Sequence, residues 1–135
     1  MSTIAVKTDA THPDRLRQTL LADVVVTGAA GLLLTLAAGP LGDLFDLPVT
    51  LLRVAGVALI PWTAFVLYVA TRPVIPRAGV WTIAIGNLAW TIASLVLIVS
   101  GAVDPSTLGI GFVIVQAAIV SVFAARQFAS LRQTG

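Results

Sequence analysis

Residues 79–100 read GVWTIAIGNLAWTIASLVLIVS, a run of 22 residues without one charged side chain. About 20 mostly apolar residues in a helix, rising about 1.5 Å each, cross the roughly 30 Å hydrocarbon core of a bilayer. The β-branched residues of this run favour strand in water. A lipid-exposed backbone, however, must satisfy its own hydrogen bonds, and helix is then the default. Three more stretches match it in length and character: LLADVVVTGAAGLLLTLAAG (20–39), TLLRVAGVALIPWTAFVLYVAT (50–71) and TLGIGFVIVQAAIVSVFAAR (107–126). Composition agrees, with 58% hydrophobic and 10% charged residues, where a soluble domain carries about 25% charged. In water so apolar a chain would expose large patches that drive association.

The expected fold is therefore an all-α membrane protein: four transmembrane helices in an up-down antiparallel bundle. Breakers separate the spans: GPLGDLFDLP (39–48), RPVIPR (72–77) and GAVDPS (101–106). These connections are short enough to make neighbours antiparallel hairpins. Asp104-Pro105 is a start signal for the fourth helix. Leu-Pro-Val-Thr-Leu (47–51) and Asp-Pro-Ser-Thr-Leu (104–108) align loosely, as two hairpin repeats would. The bundle occupies 19–127, between a polar N-terminal segment (1–18) and a C-terminal tail (128–135). Span one is longer than a signal-peptide core and is expected to be retained.

Charge gives direction. Lys7, Arg15, Arg17, Arg72, Arg77, Arg126 and Arg132 fall on one side of the spans, and Asp43, Asp46 and Asp104 on the other with Arg53. The positive-inside rule then puts both termini in the cytoplasm of an inner (plasma) membrane protein. The net charge of +2 comes without a basic, aromatic-interleaved cluster, so no nucleic-acid partner is expected. With no cysteine, a single histidine (His12) and a single methionine (Met1), thiolate zinc, iron–sulfur and intramembrane haem sites lack ligands. No cofactor or metal is expected. Nor does any nucleophile stand beside a base in the sequence, so no enzyme is expected.

The polar residues inside the spans are the candidate site. Asn87, Trp90, Thr91 and Ser94 follow i, i+3, i+4, i+7 and share one face, which should turn into the bundle. Asn87 sits roughly 12 Å into span three. Gln116, Trp62 beside Pro61, and Thr27 beside Gly28 fall at similar depth, and Asp23 lies about one turn inside the cytoplasmic end of span one. Two readings compete for Asp23, Thr27, Trp62, Asn87, Trp90 and Gln116. They could act as interhelical glue, typically about 0.6–2 kcal/mol per bond, or form a polar midplane site for a ligand. For Asp23 the alternatives are a proton or cation site and an interfacial acid beside Arg15, Arg17, Arg72 or Arg77. Arg53 is expected to clamp Asp43, Asp46 or Asp104 on the outer face. Gly28 with Gly31, and Ala117, Ser121 and Ala125, are small-residue ladders suited to close helix packing or to a shared interface between copies.

Residues 51–73, GNLAWTIAS (86–94) and FAARQFASLR (123–132) together resemble a group of small, functionally uncharacterised bacterial four-helix integral membrane proteins. The likeness covers most of 20–132 and implies a four-span inner-membrane protein; it carries no site residues. Size and span count are also similar to small multidrug-resistance transporters. Those rely on an acid deep in the first helix, for which Asp23 is the sole counterpart. The leading expectation is a non-enzymatic structural or accessory subunit, partnered by the bilayer and by itself or a larger membrane complex. The alternative is a small transporter or ligand-binding bundle.

Overall fold

The computed structural model describes residues Thr3–Thr134, with side chains from residue 14 to residue 132; the side chains of Lys7 and His12 lie outside the described residues. Five helices follow in order: α1 (Thr3–Leu36), α2 (Ala38–Phe45), α3 (Val49–Ala70), α4 (Arg77–Val99) and α5 (Thr107–Thr134). Four of them contain stretches long and apolar enough to cross a membrane: Asp14–Leu36, Val49–Ala70, Arg77–Val99 and Thr107–Arg132. Only 17–22% of the most apolar part of each is buried inside the molecule. Val25, Leu36, Val54, Val99 and Leu108 are among many large apolar side chains that point outward. Such a surface is stable against acyl chains and not against water. The chain is a multi-pass membrane protein built as an up-down helical bundle.

The helices pack as two hairpins, α1 with α3 and α4 with α5, joined chiefly through α1 against α5. The first hairpin closes backbone to backbone. A Cβ on Gly56 would lie 2.6 Å from both the N and the Oγ1 of Thr35, and one on Gly31 would lie 3.1 Å from the Cβ of Leu59. The stripe read from Gly28 and Gly31 is therefore used inside the chain, and Gly56 is its counterpart on α3. Ala117 of the second ladder is buried, but Ala125 is exposed; Ala124 faces inward in its place. Pro61 sits within α3, which runs through it without a break.

The core falls into two apolar clusters. Leu16, Leu20, Val66, Val69, Ala70, Val80, Ile83 and Leu131 form one, at the arginine-rich end that holds the start of α4 and the close of α5. Leu34, Ala38, Phe45, Leu47, Leu52, Leu59 and Val113 form the other, at the acidic end. Along every helix that contributes to it, the polar site lies between them.

Three boundaries differ from the sequence expectation, the first being that α1 begins at Thr3, within the segment expected to precede the bundle. Residues 39–48 are not a plain loop: 38–45 form α2, whose buried Ala38, Gly42 and Phe45 share one face. Its proline, Pro40, lies in the first turn, where no backbone donor is needed. Asp46, at φ 54°, ends α2 in the left-handed region, its N–H bonded to the Gly42 carbonyl. Residues 128–134 continue α5 and are not a tail. At the start of α5 the capping side chain is Ser106, whose Oγ accepts from Gly109 N at 3.1 Å; Asp104-Pro105 only leads into it. Ser106 also donates from Oγ to the Leu44 carbonyl at 2.9 Å and from its N–H to the Phe45 carbonyl at 2.9 Å. Phe45 stacks on Phe112 at 4.7 Å. This clasp ties the two hairpins together at the acidic end.

Gly56→Ala should lower unfolding stability in detergent by about 1–3 kcal/mol, because two of the atoms in its way, Thr35 N and Gly31 O, belong to the α1 backbone. Gly111→Ala, with open space around it, should leave the melting temperature unchanged; equal melting of both variants would contradict the close α1–α3 contact.

Candidate functional site

The polar groups of the spans form two separate clusters. In the first, Asp23 of α1 is 1% exposed and accepts from three helices. Its Oδ1 takes the Thr27 hydroxyl at 2.7 Å, one turn further along α1. Its Oδ2 takes Asn87 Nδ2 of α4 at 2.9 Å and Gln127 Nε2 of α5 at 3.2 Å. Asn87 Nδ2 also donates to Gln127 Oε1 at 3.0 Å. Thr27, Asn87 and Gln127 are buried, and Gln127 is fully so. Every described partner of the Asp23 carboxyl group is a neutral side chain that donates to it.

The arginines expected beside Asp23 are not among its partners: its bonds to Thr27, Asn87 and Gln127 set it level with Asn87. Arg17, its expected neighbour, points to the α3–α4 connection instead. Arg17 donates from Nη1 to the carbonyls of Ala70 and of Arg72, the latter at 3.0 Å, and from Nη2 to Pro73 at 3.5 Å. A guanidinium there meets the carbonyl end of α3, where the helix dipole favours positive charge. Arg72 lies over the Tyr68 ring, 4.4 Å from its centre.

The second cluster lies deeper along α4. Trp90 Nε1 donates to Gln116 Oε1 at 2.8 Å, and Gln116 Nε2 donates to Ser94 Oγ at 3.0 Å and to the Val113 carbonyl at 2.9 Å. The shared face of Asn87, Trp90, Thr91 and Ser94 thus turns into the bundle, but it serves two levels. Gln116 belongs with Trp90 and not with Asn87. Gln127, eleven residues later and roughly 16 Å further along α5, takes the place expected for it. Trp62 bonds to neither cluster among the described residues: its indole rests on Gly86, where a Cβ would strike the ring, and tilts against Phe65 at 5.9 Å. It is a packing contact between α3 and α4.

Remaining hydroxyls are turned to their own helices. Thr35 donates to Gly31, Thr63 to Leu59, Thr91 to Asn87 and Ser94 to Trp90. Among the described residues no buried side-chain polar atom lacks a partner.

The outer-face candidates do not assemble as expected. Asp46 and Asp104 border one shallow depression with Leu47, Pro48, Ala102 and Val103. Arg53 and Asp43 are exposed, and among the described residues Arg53 forms no ion pair with Asp43, Asp46 or Asp104. An exposed pair gains little over water, so a long arginine at a span end reaches solvent instead.

Gln127 was missed from the sequence because it follows Arg126, the last residue of the expected span 107–126. Its signal was spacing: Val113, Ala117, Ala124, Gln127 and Leu131 continue one inward face at helical intervals. Comparison of the chain with protein-family models, with curated proteins and with solved structures finds no match.

Asn87→Leu and Gln127→Leu should each reduce stability by about 0.6–2 kcal/mol. In a double-mutant cycle measured by reversible unfolding in bilayer discs, this pair should be strongly non-additive, while Asn87→Leu with Gln116→Leu should be additive. Coupling of similar size in both cycles would refute the division into two clusters.

Proposed function

We propose that this chain is a non-enzymatic integral protein of a bacterial inner (plasma) membrane, with both termini cytoplasmic, acting as a structural or accessory subunit that associates with itself or with a larger membrane complex. The observation that carries this reading is the closed pairing of its intramembrane polar groups. Thr27, Asn87 and Gln127 are occupied by Asp23 and by each other, and Gln116 is occupied by Trp90 and Ser94. Those bonds join α1, α4 and α5, which is the work of interhelical glue. Hydroxyls bonded to carbonyls of the preceding turn are not aligned on a base, which supports a role without catalysis. The excess of arginine at the end shared by both termini supports the orientation. The resemblance to small bacterial four-helix membrane proteins supports the location.

A second reading, a small transporter or ligand-binding bundle, is favoured by one feature: Asp23 is an acid inside the spans with neutral partners only. An ionisable residue so placed is a functional candidate on physical grounds, because burying its charge is costly.

Reconstitution of the full chain into liposomes separates the two. The subunit reading expects no dissipation of an imposed pH gradient by the wild-type chain or by Asp23→Asn, together with a stability loss of about 1–2 kcal/mol in the variant from disturbed interhelical bonds. Proton flux through the wild-type chain that disappears in a folded Asp23→Asn variant would replace it with the transporter reading.

A further inference from the structure

Two sets of polar bonds tie the first hairpin to the second, and a proton acts on only one of them. At the acidic end, Ser106 gives its hydroxyl to the Leu44 carbonyl and its N–H to the Phe45 carbonyl, each at 2.9 Å. Hydroxyl and peptide groups do not titrate in this role. Towards the arginine-rich end, the link runs from Asp23 Oδ2 to Asn87 and Gln127. Its acceptor is a carboxyl group, which takes up a proton. Among the described residues no other charged or titratable side chain bonds to it. On α1, Arg17 is turned to the α3–α4 connection, and Asp14 and Arg15 are exposed. Asp43 of α2, Arg53 and Tyr68 of α3, Arg77 of α4, and Arg126 and Arg132 of α5 are all exposed.

Protonation weakens this link wherever the proton sits. It comes from water and adds to one carboxyl oxygen, with no other covalent change. On Oδ2 it points at Asn87 Nδ2 and Gln127 Nε2, which are donors, and the two bonds that cross between hairpins are lost. On Oδ1 it points at the Thr27 hydroxyl, which must turn to accept it. Oδ2 is then a neutral carbonyl oxygen, and bonds to it lose the charge assistance that makes them roughly twice as strong. Apolar packing of Leu20, Val80, Ile83 and Leu131 at that end does not replace the link, because acyl chains offer such side chains equivalent surroundings. We propose that Asp23 is a proton-operated latch. Ionised, it holds the hairpins together at the arginine-rich end; protonated, it lets them part there, with the Ser106 clasp as the pivot. The latch uses the joint but not the subunit reading, so hairpin separation and proton flux are tested apart.

The chain contains no cysteine, so spin labels can be placed in pairs on the full-length protein in bilayer discs. Gln18→Cys with Ala78→Cys spans α1 and α4 at the arginine-rich end. Asp43→Cys with Leu108→Cys spans α2 and α5 at the acidic end. All four positions are exposed. Between about pH 8 and about pH 4, the first distance should lengthen reversibly by about 2–5 Å, and the second should stay fixed. Asp23→Asn should hold the first pair at the long distance at every pH. Asn87→Leu, which removes one of the two crossing bonds, gives a second reading should that variant not fold: its acid-induced lengthening should be smaller than in the wild type. His12→Gln, at the chain's one histidine, and Asp104→Asn should respond as the wild type does. A first distance that ignores pH in the wild type would overturn the latch, as would a full response in Asp23→Asn or in Asn87→Leu. So would a response lost in His12→Gln, or equal lengthening of both pairs, which would mean general loosening without a pivot.

Discussion

A carboxylate buried inside a helical bundle must be given hydrogen bonds by the protein, because no solvent reaches it. Asp23 imposes that requirement on this chain, and the placement of three helices follows from meeting it. Its own helix supplies one donor, Thr27, a turn away. The others must come from elsewhere, and they come from α4 and α5, the hairpin whose main helix contact with the first is α5 against α1. Leu20 on one side of Asp23 and Leu34 on the other enter different apolar clusters. The polar layer is therefore also the level at which the two halves of the core divide.

Different forces hold the hairpins internally and hold them to each other. Within α1–α3, contact is made by removing side chains. Gly31 and Gly56 let backbones approach, and in lipid such packing replaces the hydrophobic drive that water would supply. Between hairpins, contact is made by polar groups at two heights. The Asp23 cluster acts towards the arginine-rich end, and the Ser106 clasp on Leu44 and Phe45 acts at the acidic end. A joint at one height would leave a pivot. Two joints separated along the axis fix the angle between the hairpins as well as their distance.

The spans, their number and their inward polar face were legible because length and periodicity in a lipid solvent admit few solutions. Asn87 turns inward for the same reason: its turn-mates Thr91 and Ser94 leave one face that lipid would reject. What the sequence left open was register. The neighbours expected for Asp23 were arginines, where its partners are Thr27, Asn87 and Gln127, and stopping span four at Arg126 removed Gln127 from view. Gln116 was assigned to Asn87 by counting depth, although α4 and α5 are offset so that it meets Trp90. The helix α2 was read as a loop because Gly39, Pro40 and Gly42 look like breakers. In place they are a tolerated first-turn proline and a close approach, since a Cβ on Gly42 would lie 2.9 Å from Val49. Registers between helices depend on side-chain partners, and a single sequence without contacts does not specify them.

The choice of aspartate at 23, where an amide would also be polar, follows from donor counting. The site offers the Thr27 hydroxyl, Asn87 Nδ2 and Gln127 Nε2, all donating. A carboxylate accepts from all of them without rearrangement. An asparagine would replace one carboxylate oxygen by an NH2 group carrying two donors. Turned towards Thr27, that group meets a hydroxyl that donates to Asp23 Oδ1; turned towards α4 and α5, it meets Asn87 Nδ2 and Gln127 Nε2, which are donors too. Either way a donor faces a donor, and a buried donor without an acceptor is costly. The carboxylate is the side chain of this size that all three donors can share, and that is why the joint between the hairpins carries an acid.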